Sequence, residues 1–290
     1  MKGPDARGAL WLAAPLLVSA TLLVLLPLLA TLVLAFADYD ALSPPRLSGW
    51  ANLQRLWADP VFWKSLQNSA LIAAISSPLR LLVALGLALL LMPQRRGVAT
   101  VRALAYLPAV VPDIAYALLW LWLLNPIYGP LGLGLRALGL PADEWLLSPW
   151  GARLSIVLLG LFQVGELYVV LLAARRELPA ELYELCAIEG VPPMWIFYRV
   201  TLPLLAPTLV FLAARDVAWS LQSSFVPALV ITKGGPMQAT LFLPLYAYQN
   251  GFEYFRFGYA AAISTAMFVL TAAMVWVQWL VLRRWQGAAA

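Results

Sequence analysis

Five charged residues lie inside or near the ends of apolar runs: Arg80, Asp113, Glu166, Arg215 and Asp216. A charge at the centre of a membrane-spanning helix costs about 2.5–3.5 kcal/mol on insertion scales, so these side chains should pair or face a water-filled cavity. Pairing predicts structural links such as Arg80 with Asp113 or with Glu166. If the side chains instead line a water-filled cavity, we expect the carboxylates to accept hydrogen bonds from the hydroxyl groups of a polar solute.

The composition argues against most forms of catalysis. The chain has no histidine and a single cysteine, Cys186. Histidine-based acid–base chemistry, histidine-ligated metal, an intrachain disulfide and a cysteine metal cluster are therefore excluded. No G-x-x-x-x-G-K-[ST] phosphate loop occurs, so we expect no P-loop site for ATP in this chain. We predict no catalytic residue, no metal and no cofactor.

The proportions of residue types indicate an integral membrane protein. Of the 290 residues, 63% are hydrophobic and 11% are charged, and the mean hydropathy is +0.82. Soluble domains carry about 25% charged residues. The net charge of +5 would suit nucleic acid, but the basic residues lie at the edges of apolar runs. We therefore expect the lipid bilayer, and no nucleic acid, as a partner.

The apolar runs predict six membrane-spanning helices, because about 20 apolar residues cross a bilayer. The predicted spans cover residues 10–36, 66–92, 103–124, 154–174, 204–223 and 258–282. The first run is too long for the core of a signal peptide. The predicted fold is all-α, with a cytoplasmic N-terminus over residues 1–9 and a single transmembrane domain over residues 10–290.

Basic residues indicate the orientation. An even number of spans puts both termini on one side, together with the second and fourth connections. Arginine pairs adjoin span ends on that side: Arg95 with Arg96, Arg175 with Arg176, and Arg283 with Arg284. The positive-inside rule makes this side cytoplasmic. We predict a multi-pass protein of the inner, cytoplasmic membrane of the cell with both termini in the cytoplasm.

One cytoplasmic connection, residues 179–203, is polar and aromatic and is called the coupling segment below. Pro179 suits the first position of a helix, and Glu184 favours its early turns. Gly190 stands where a left-handed C-terminal cap is needed, and a second short helix is predicted over residues 194–199. At positive φ, a residue with a side chain costs about 1–2 kcal/mol. A helix pair of this shape beside a membrane is suited to pressing on another protein.

The coupling segment resembles the E-A-A-x3-G-x9-I-x-L-P loop of binding-protein-dependent ABC importer permeases. Glu184, Leu185 and Cys186 fill the E-A-A positions, Gly190 is the glycine, and residues 200–203 fill I-x-L-P. Leucine and cysteine replace the two alanines, which implies a differently shaped groove on the partner. In that family this helix pair docks on the cytoplasmic ATPase. The resemblance therefore assigns ATPase coupling to Glu184, Glu189, Gly190, Trp195 and Pro203.

Two further blocks narrow the resemblance to carbohydrate-uptake permeases of the maltose and glycerol-3-phosphate type. One is similar to L-T-x-G-G-P…A-T…L-x-x-Y-x-Y and comprises residues 231–236, Thr240, Leu245, Tyr246 and Tyr248. The other is similar to F-x-x-S-L-x-N-[ST] and comprises Phe62, Ser65, Leu66, Asn68 and Ser69. The resemblance implies the permease subunit of an ATP-driven importer, which moves a sugar or sugar-like solute.

The partners that this resemblance implies are a second permease chain, a dimer of cytoplasmic ATP-binding subunits and an extracytoplasmic solute-binding protein. The fifth span often lines the solute pathway in the family. We therefore expect the pathway to include Arg215, Asp216, Trp219, Gln222 and Tyr246. We expect the residues that face the binding protein or gate the pathway to be Gly234, Gly235, Pro236 and Tyr248.

Several alternatives stay open at this point. An ion-coupled secondary transporter of a small polar solute would show repeat halves or helices broken by Gly or Pro in matching positions, and we find neither. A membrane-embedded enzyme would need converging catalytic groups, and only scattered carboxylates are present. Trp219 either stacks on a sugar ring or packs against helices or lipid. Met194, Trp195, Phe197 and Tyr198 either enter a groove of the ATPase or pack against the chain's own spans.

Overall fold

The computed structural model describes residues 6–93, 95–139 and 145–288, and this part of the chain is mostly helical. The α-helices are Ala6–Ala20, Leu26–Leu34, Ala51–Ala58, Pro60–Leu90, Val98–Tyr106, Asp113–Leu123, Pro130–Ala137, Pro149–Phe162, Gly165–Arg176, Ala180–Ile188, Pro193–Ile196, Leu202–Ser223, Phe225–Pro227, Leu243–Tyr248 and Phe257–Ala288. Wider π-helical turns cover Thr21–Leu25, Phe197–Thr201, Ala228–Thr232 and Gln249–Glu253, and a 3₁₀ turn covers Leu107–Ala109. Two short antiparallel strands, Ala37–Asp38 and Arg46–Leu47, complete the fold. The all-α prediction is confirmed.

Four helices are long and apolar enough to cross a membrane: Trp11–Leu34, Pro60–Leu90, Pro193–Thr232 and Phe257–Leu280. Two further helix pairs qualify as bent spans. The third span joins Val98–Ala109 to Asp113–Leu123 at 97°, and the fourth joins Pro149–Phe162 to Gly165–Arg176 at 43°. With each bent pair counted as one span, these described residues contain six, which agrees with the prediction.

The sequence analysis predicted the third and fourth spans as continuous runs and missed both bends. The third span bends near Pro112, which lacks a backbone N–H and is extended, with ψ 136°. The fourth bends just before Gly165, and there the two spans touch. A Cβ atom on Gly165 would lie 2.9 Å from Cβ of Ala109 and 3.0 Å from Cδ2 of Tyr106. The absent side chain of Gly165 is therefore what allows the two spans to cross.

The fold divides into two compact units, Lys64–Leu245 with Leu270–Ala290, and Met1–Trp63 with Tyr246–Val269. In the larger unit, the second, fourth and fifth spans share one apolar core. Its buried members include Ala84, Leu85, Ala88, Leu167, Tyr168, Leu171, Leu205 and Leu212. Packing of these spans positions the charged residues described next. The single domain over residues 10–290 stays a prediction.

The smaller unit holds a helix junction and an exposed apolar helix. Nδ2 of Asn52 donates to the carbonyl oxygens of Ala35 (3.2 Å) and Ala37 (2.8 Å). Gly258 packs against the carbonyl oxygen of Ala37, where a Cβ atom would overlap with it. The Trp11–Leu34 helix buries none of its most apolar window. Because that helix is apolar on all sides, we expect lipid to surround it.

Candidate functional site

Arg80 and Asp216 form an enclosed ion pair. Nη1 of Arg80 lies 3.3 Å from Oδ1 of Asp216, and their side chains are 4% and 0% exposed. Nη2 of Arg80 donates to the carbonyl oxygen of Gln163 (3.2 Å). The guanidinium carbon lies 3.8 Å from the ring centroid of Trp219, in cation–π geometry. Removing one member of such a pair costs about 3–5 kcal/mol, because the other charge remains buried and unpaired.

Pairing was predicted for Arg80, but the predicted partners, Asp113 and Glu166, were wrong. Each of these acids lies in the first turn of the second half of a bent span. A carboxylate there is stabilised by the partial positive charge of the helix N-terminus, by about 0.3–1 kcal/mol. Glu166 is also paired through Oε2 with Nη2 of Arg215, and these two side chains are 55% and 43% exposed. Among its described residues, the larger unit therefore holds one enclosed pair and one exposed pair.

Three of the predicted pathway residues share a face of the Leu202–Ser223 helix. Arg215, Trp219 and Gln222 follow one another at steps of four and three residues, which places them on one side of a helix. Arg215 and Gln222 are exposed and Trp219 is half-buried. Asp216 points to a different side, where it is fully buried against Arg80.

A small cavity adjoins the enclosed pair. Its volume is about 30 Å³, and its lining includes Arg80, Trp219, Gln163, Ser220 and Ser223. A space of this size holds a water molecule, whereas sites for larger ligands measure about 300–1,000 Å³. One face of the Trp219 ring is covered by the guanidinium group. A sugar can therefore reach this ring only from the other face.

Tyr246, the fifth predicted pathway residue, binds a carboxylate that the sequence analysis missed. The hydroxyls of Tyr246 and Tyr259 (2.5 Å) both donate to Oδ2 of Asp59. Burial raises the pKa of Asp59, but hydrogen bonds from the two tyrosines and from the N–H of Val61 outweigh it and hold this pKa below its usual value. Burial and the bond to Asp59 raise the pKa of Tyr246 to about 12. Tyr248, on the same helix, is half-buried.

The loop after the fifth span is tied to the second span. Nδ2 of Asn68 donates to the carbonyl oxygens of Gln238 (2.7 Å) and Leu241 (3.1 Å). Arg153 donates through Nη2 to Oδ1 of Asn68 (2.9 Å) and through Nε to the carbonyl oxygen of Ala239 (3.0 Å). Hydrogen bonds thus join the block similar to F-x-x-S-L-x-N-[ST], which contains Asn68, to the loop of the Gly-Gly-Pro block. The role of Arg153 was missed, because no local pattern marks it.

The Gly-Gly-Pro residues shape this loop. Gly234 is buried with φ +83°, a conformation that favours glycine. Oγ1 of Thr240 donates to the carbonyl oxygen of Gly235 (2.6 Å), and Gly235 and Pro236 are half-buried. Met237 is 79% exposed and forms the tip of the loop. Gly234, Gly235 and Pro236 are therefore partly or fully enclosed in this loop, whereas their neighbour Met237 is exposed.

The coupling segment contains the predicted helix and glycine turn. The Ala180–Ile188 helix ends before Gly190, whose φ is +65°. The N–H of Gly190 donates to the carbonyl oxygen of Ala187 (3.2 Å), and the N–H of Val191 donates to that of Cys186 (3.0 Å). These two bonds make a Schellman motif. No atom lies within 4 Å of a Cβ added to Gly190, so a side chain there would strain the backbone and project outward.

The second helix of the coupling segment is continuous with the fifth span. The Pro193–Ile196 helix passes through the π-helical turn Phe197–Thr201 into the long helix that contains Pro203. The prediction of a separate short helix was therefore wrong. Pro203 lies just after the widened turn, in the first positions of the next helix, where its missing N–H is tolerated.

The coupling segment exposes apolar side chains: Leu182, Leu185, Ile188, Met194, Trp195 and Tyr198. Glu184 and Glu189 are exposed beside them. Phe197 instead packs against the apolar core of the larger unit. Tyr183 anchors the segment through a hydrogen bond between its hydroxyl and that of Thr201 (3.1 Å). Such an exposed apolar patch is typical of a protein–protein contact.

Comparison with known proteins identifies the family. The family described as "binding-protein-dependent transport system inner membrane component" matches residues 80–287. The chain belongs to this family. The prediction of a binding-protein-dependent ABC importer permease is confirmed, and the permease is a transport protein and not an enzyme.

Two relatives illustrate the similarity of this permease to proteins of comparable length. It is 31% identical over 281 residues to the lactose transport system permease protein LacF of Rhizobium radiobacter. That alignment covers 94% of this chain and 93% of the relative. It is 29% identical over 267 residues to the probable ABC transporter permease protein YesP of Bacillus subtilis strain 168. This second alignment covers 89% of this chain and 84% of the relative.

A solved structure shows the same fold. A chain in the crystal structure of a bacterial ABC transporter involved in the import of the acidic polysaccharide alginate matches with a TM-score of 0.80. The alignment covers 95% of the permease and 96% of that chain, at 20% identity. The family match itself includes the coupling segment, both ion pairs and the Gly-Gly-Pro loop of the permease, whereas Asp59 precedes it.

Proposed function

We propose that this permease is one half of the membrane part of an ATP-driven importer and moves a sugar or sugar-like solute into the cell. The observation that carries the proposal is the exposed apolar helix pair of the coupling segment, on the side that the basic residues mark as cytoplasmic. The sugar class is supported by relatives named for lactose and for trehalose/maltose transport.

The proposal includes three kinds of partner besides the bilayer. These are a second permease chain, a dimer of ATP-binding subunits that hydrolyses ATP in the cytoplasm, and an extracytoplasmic solute-binding protein. A structural neighbour of this fold was crystallised in complex with an alginate pentasaccharide-bound periplasmic protein. In this arrangement the permease lies in the inner membrane of the cell with both termini in the cytoplasm.

The mechanism we propose is mechanical. Closure of the ATPase pair pushes on the coupling segment at Glu184, Glu189, Gly190 and Trp195. Because the helix that starts at Pro193 continues through Pro203 to Thr232, this push moves the fifth span as well. The spans then change between inward-open and outward-open states, a two-state equilibrium biased by ATP on another subunit.

The residues predicted for the pathway take different roles in this proposal. Arg215, Trp219 and Gln222 contact the solute, since they share an accessible helix face. Asp216 keeps Arg80 in place instead. Tyr246 secures the start of the second span through Asp59. At the outer loop, Gly234, Gly235 and Pro236 shape the surface that meets the binding protein, and Tyr248 lies beside the gate.

The test compares two substitutions at Gly190 in the permease reconstituted with its second permease, ATPase and binding protein. Gly190→Asn keeps a residue that tolerates positive φ, whereas Gly190→Trp adds bulk where no atom of this chain lies within 4 Å. We expect binding-protein-stimulated ATP hydrolysis to persist in the first variant and to collapse in the second, with assembly intact. Equal stimulation in the wild type and Gly190→Trp would refute the coupling role.

A further inference from the structure

The exposed Glu166–Arg215 pair lies near the middle of the membrane. Glu166 is separated from Arg176, at the cytoplasmic end of its half-helix, by ten residues, or about 15 Å of helix. This is half of the hydrocarbon thickness of about 30 Å. Arg215 is likewise well inside the Leu202–Ser223 helix. About half of each side chain is nevertheless accessible.

Lipid does not suit this accessible surface, because charged groups in a span face a bundle interior or a water-filled cavity. The polar surface also extends beyond the pair. Beyond the pair, the same helix face carries the half-buried indole of Trp219 and the exposed amide of Gln222, which lies about 10 Å along the helix from Arg215. The ion pair and Gln222 thus form a polar stripe along the helix axis, and a water-filled path suits such groups within a span better than lipid does.

We propose that Glu166 and Arg215 line the solute pathway as a mutually neutralising pair and so adapt it to uncharged, polyhydroxylated solutes. This inference rests on the proposed function and names the solute class. The open side of the pair presents carboxylate acceptors and guanidinium donors together, which matches hydroxyl groups. Asp216 and Arg80 cancel one another in the same way, and the charge of Asp113 is offset by its helix N-terminus.

A cysteine introduced at position 222 can report both water access and local charge. The background is Cys186→Ala, which removes the single native thiol. Gln222→Cys leaves the ion pair intact, and Leu23→Cys serves as control in the exposed apolar first span. The assembled transporter in membranes is treated with an anionic sulfonatoethyl or a cationic trimethylammonioethyl methanethiosulfonate. Rates are divided by those for a free thiol in solution.

We expect the thiol of Gln222→Cys to react at least about tenfold faster than that of Leu23→Cys, with no preference for either reagent while the pair is intact. One unpaired charge about 10 Å away in a watery path changes each rate about twofold, and the ratio of the two rates about fourfold. Added to the Gln222→Cys chain, Glu166→Gln should therefore favour the anionic reagent and Arg215→Gln the cationic one. Both substitutions together should restore equal rates.

Two results would overturn the inference. If the thiol of Gln222→Cys reacts as slowly as that of Leu23→Cys, the stripe is packed against another chain or lipid. Unchanged rate ratios after Glu166→Gln and after Arg215→Gln would mean that the pair does not set the charge of the path. Neither result depends on solute or on ATP hydrolysis, so a failure here is distinct from failure of the Gly190 experiment.

Discussion

Arg215 and Asp216 are neighbours in the chain, yet their side chains have opposite surroundings. Asp216 is fully buried against Arg80, whereas Arg215 is 43% exposed and pairs with Glu166. One residue along a helix turns the side chain by about 100°, which is enough to separate an enclosed charge from an accessible one. The net charge of the adjacent pair in the sequence therefore says little about the charge that a solute would meet.

At the residue scale, Asp59 predicts a pH dependence. Its hydrogen bonds from Tyr246 and Tyr259 hold its pKa below the unfolded value of about 3.9. They therefore stabilise the fold above that value, and the stabilisation is lost as the pH falls through the folded pKa. The raised pKa of Tyr246 acts in the opposite sense, with stabilisation lost as the pH rises through about 12. The stabilisation from the hydrogen bonds of Tyr246 and Tyr259 to Asp59 is thus fully present at neutral pH.

We expect Asp59→Asn to lower the stability of the permease at pH 7 by about 1.5–3 kcal/mol, the usual contribution of hydrogen bonds to a charged group. The measurement is the unfolding temperature in detergent at pH 7 and pH 3, where the difference from wild type should shrink. Asp38→Asn is the control, because the side chain of Asp38, in the strand Ala37–Asp38, is exposed. A pH-independent difference at Asp59 would contradict this account.

At the scale of elements, the crossing of the two bent spans depends on Gly165. Gly165→Ala puts a methyl group 2.9 Å from Cβ of Ala109, so we expect a loss of about 1–3 kcal/mol from overpacking. Ala109→Gly in the same chain should recover part of it. Gly134→Ala is the matched control, since nothing lies within 4 Å of a Cβ there. The measurement is the unfolding temperature of each variant in detergent. Equal unfolding temperatures for Gly165→Ala and Gly134→Ala would disprove the dependence of the crossing on Gly165.

The sequence was sufficient for features set by local composition. Six apolar runs predicted the six spans, and Gly190 was placed correctly because a left-handed helix cap needs only neighbouring residues. The bends were missed because hydropathy averages over a run and does not register a change of direction. The partners of Arg80 and Arg215, and the tie from Arg153 to Asn68, were missed because they join elements that are distant in the chain.

At the scale of the whole molecule, the arginines beside span ends predict the orientation. Alkaline phosphatase is a suitable reporter, because it needs disulfides that form only outside the reducing cytoplasm. We expect phosphatase joined after Gly139 to be active, and phosphatase joined after Glu177 or at the C-terminus to be inactive. Activity at either of the last two sites would reverse the proposed topology.

The helix from Pro193 to Thr232 has 40 residues and a length of about 60 Å, twice the hydrocarbon thickness. It begins in the coupling segment and ends beside the Gly-Gly-Pro loop. Its α-helical part Leu202–Ser223 lies between the π-helical turns Phe197–Thr201 and Ala228–Thr232, so a shift at the coupling segment would be passed to the loop through these turns. Closing of the outer end of the pathway and opening of its inner end would then be parts of one movement. A substitution that makes this helix more flexible would uncouple the two ends, and the membrane would leak.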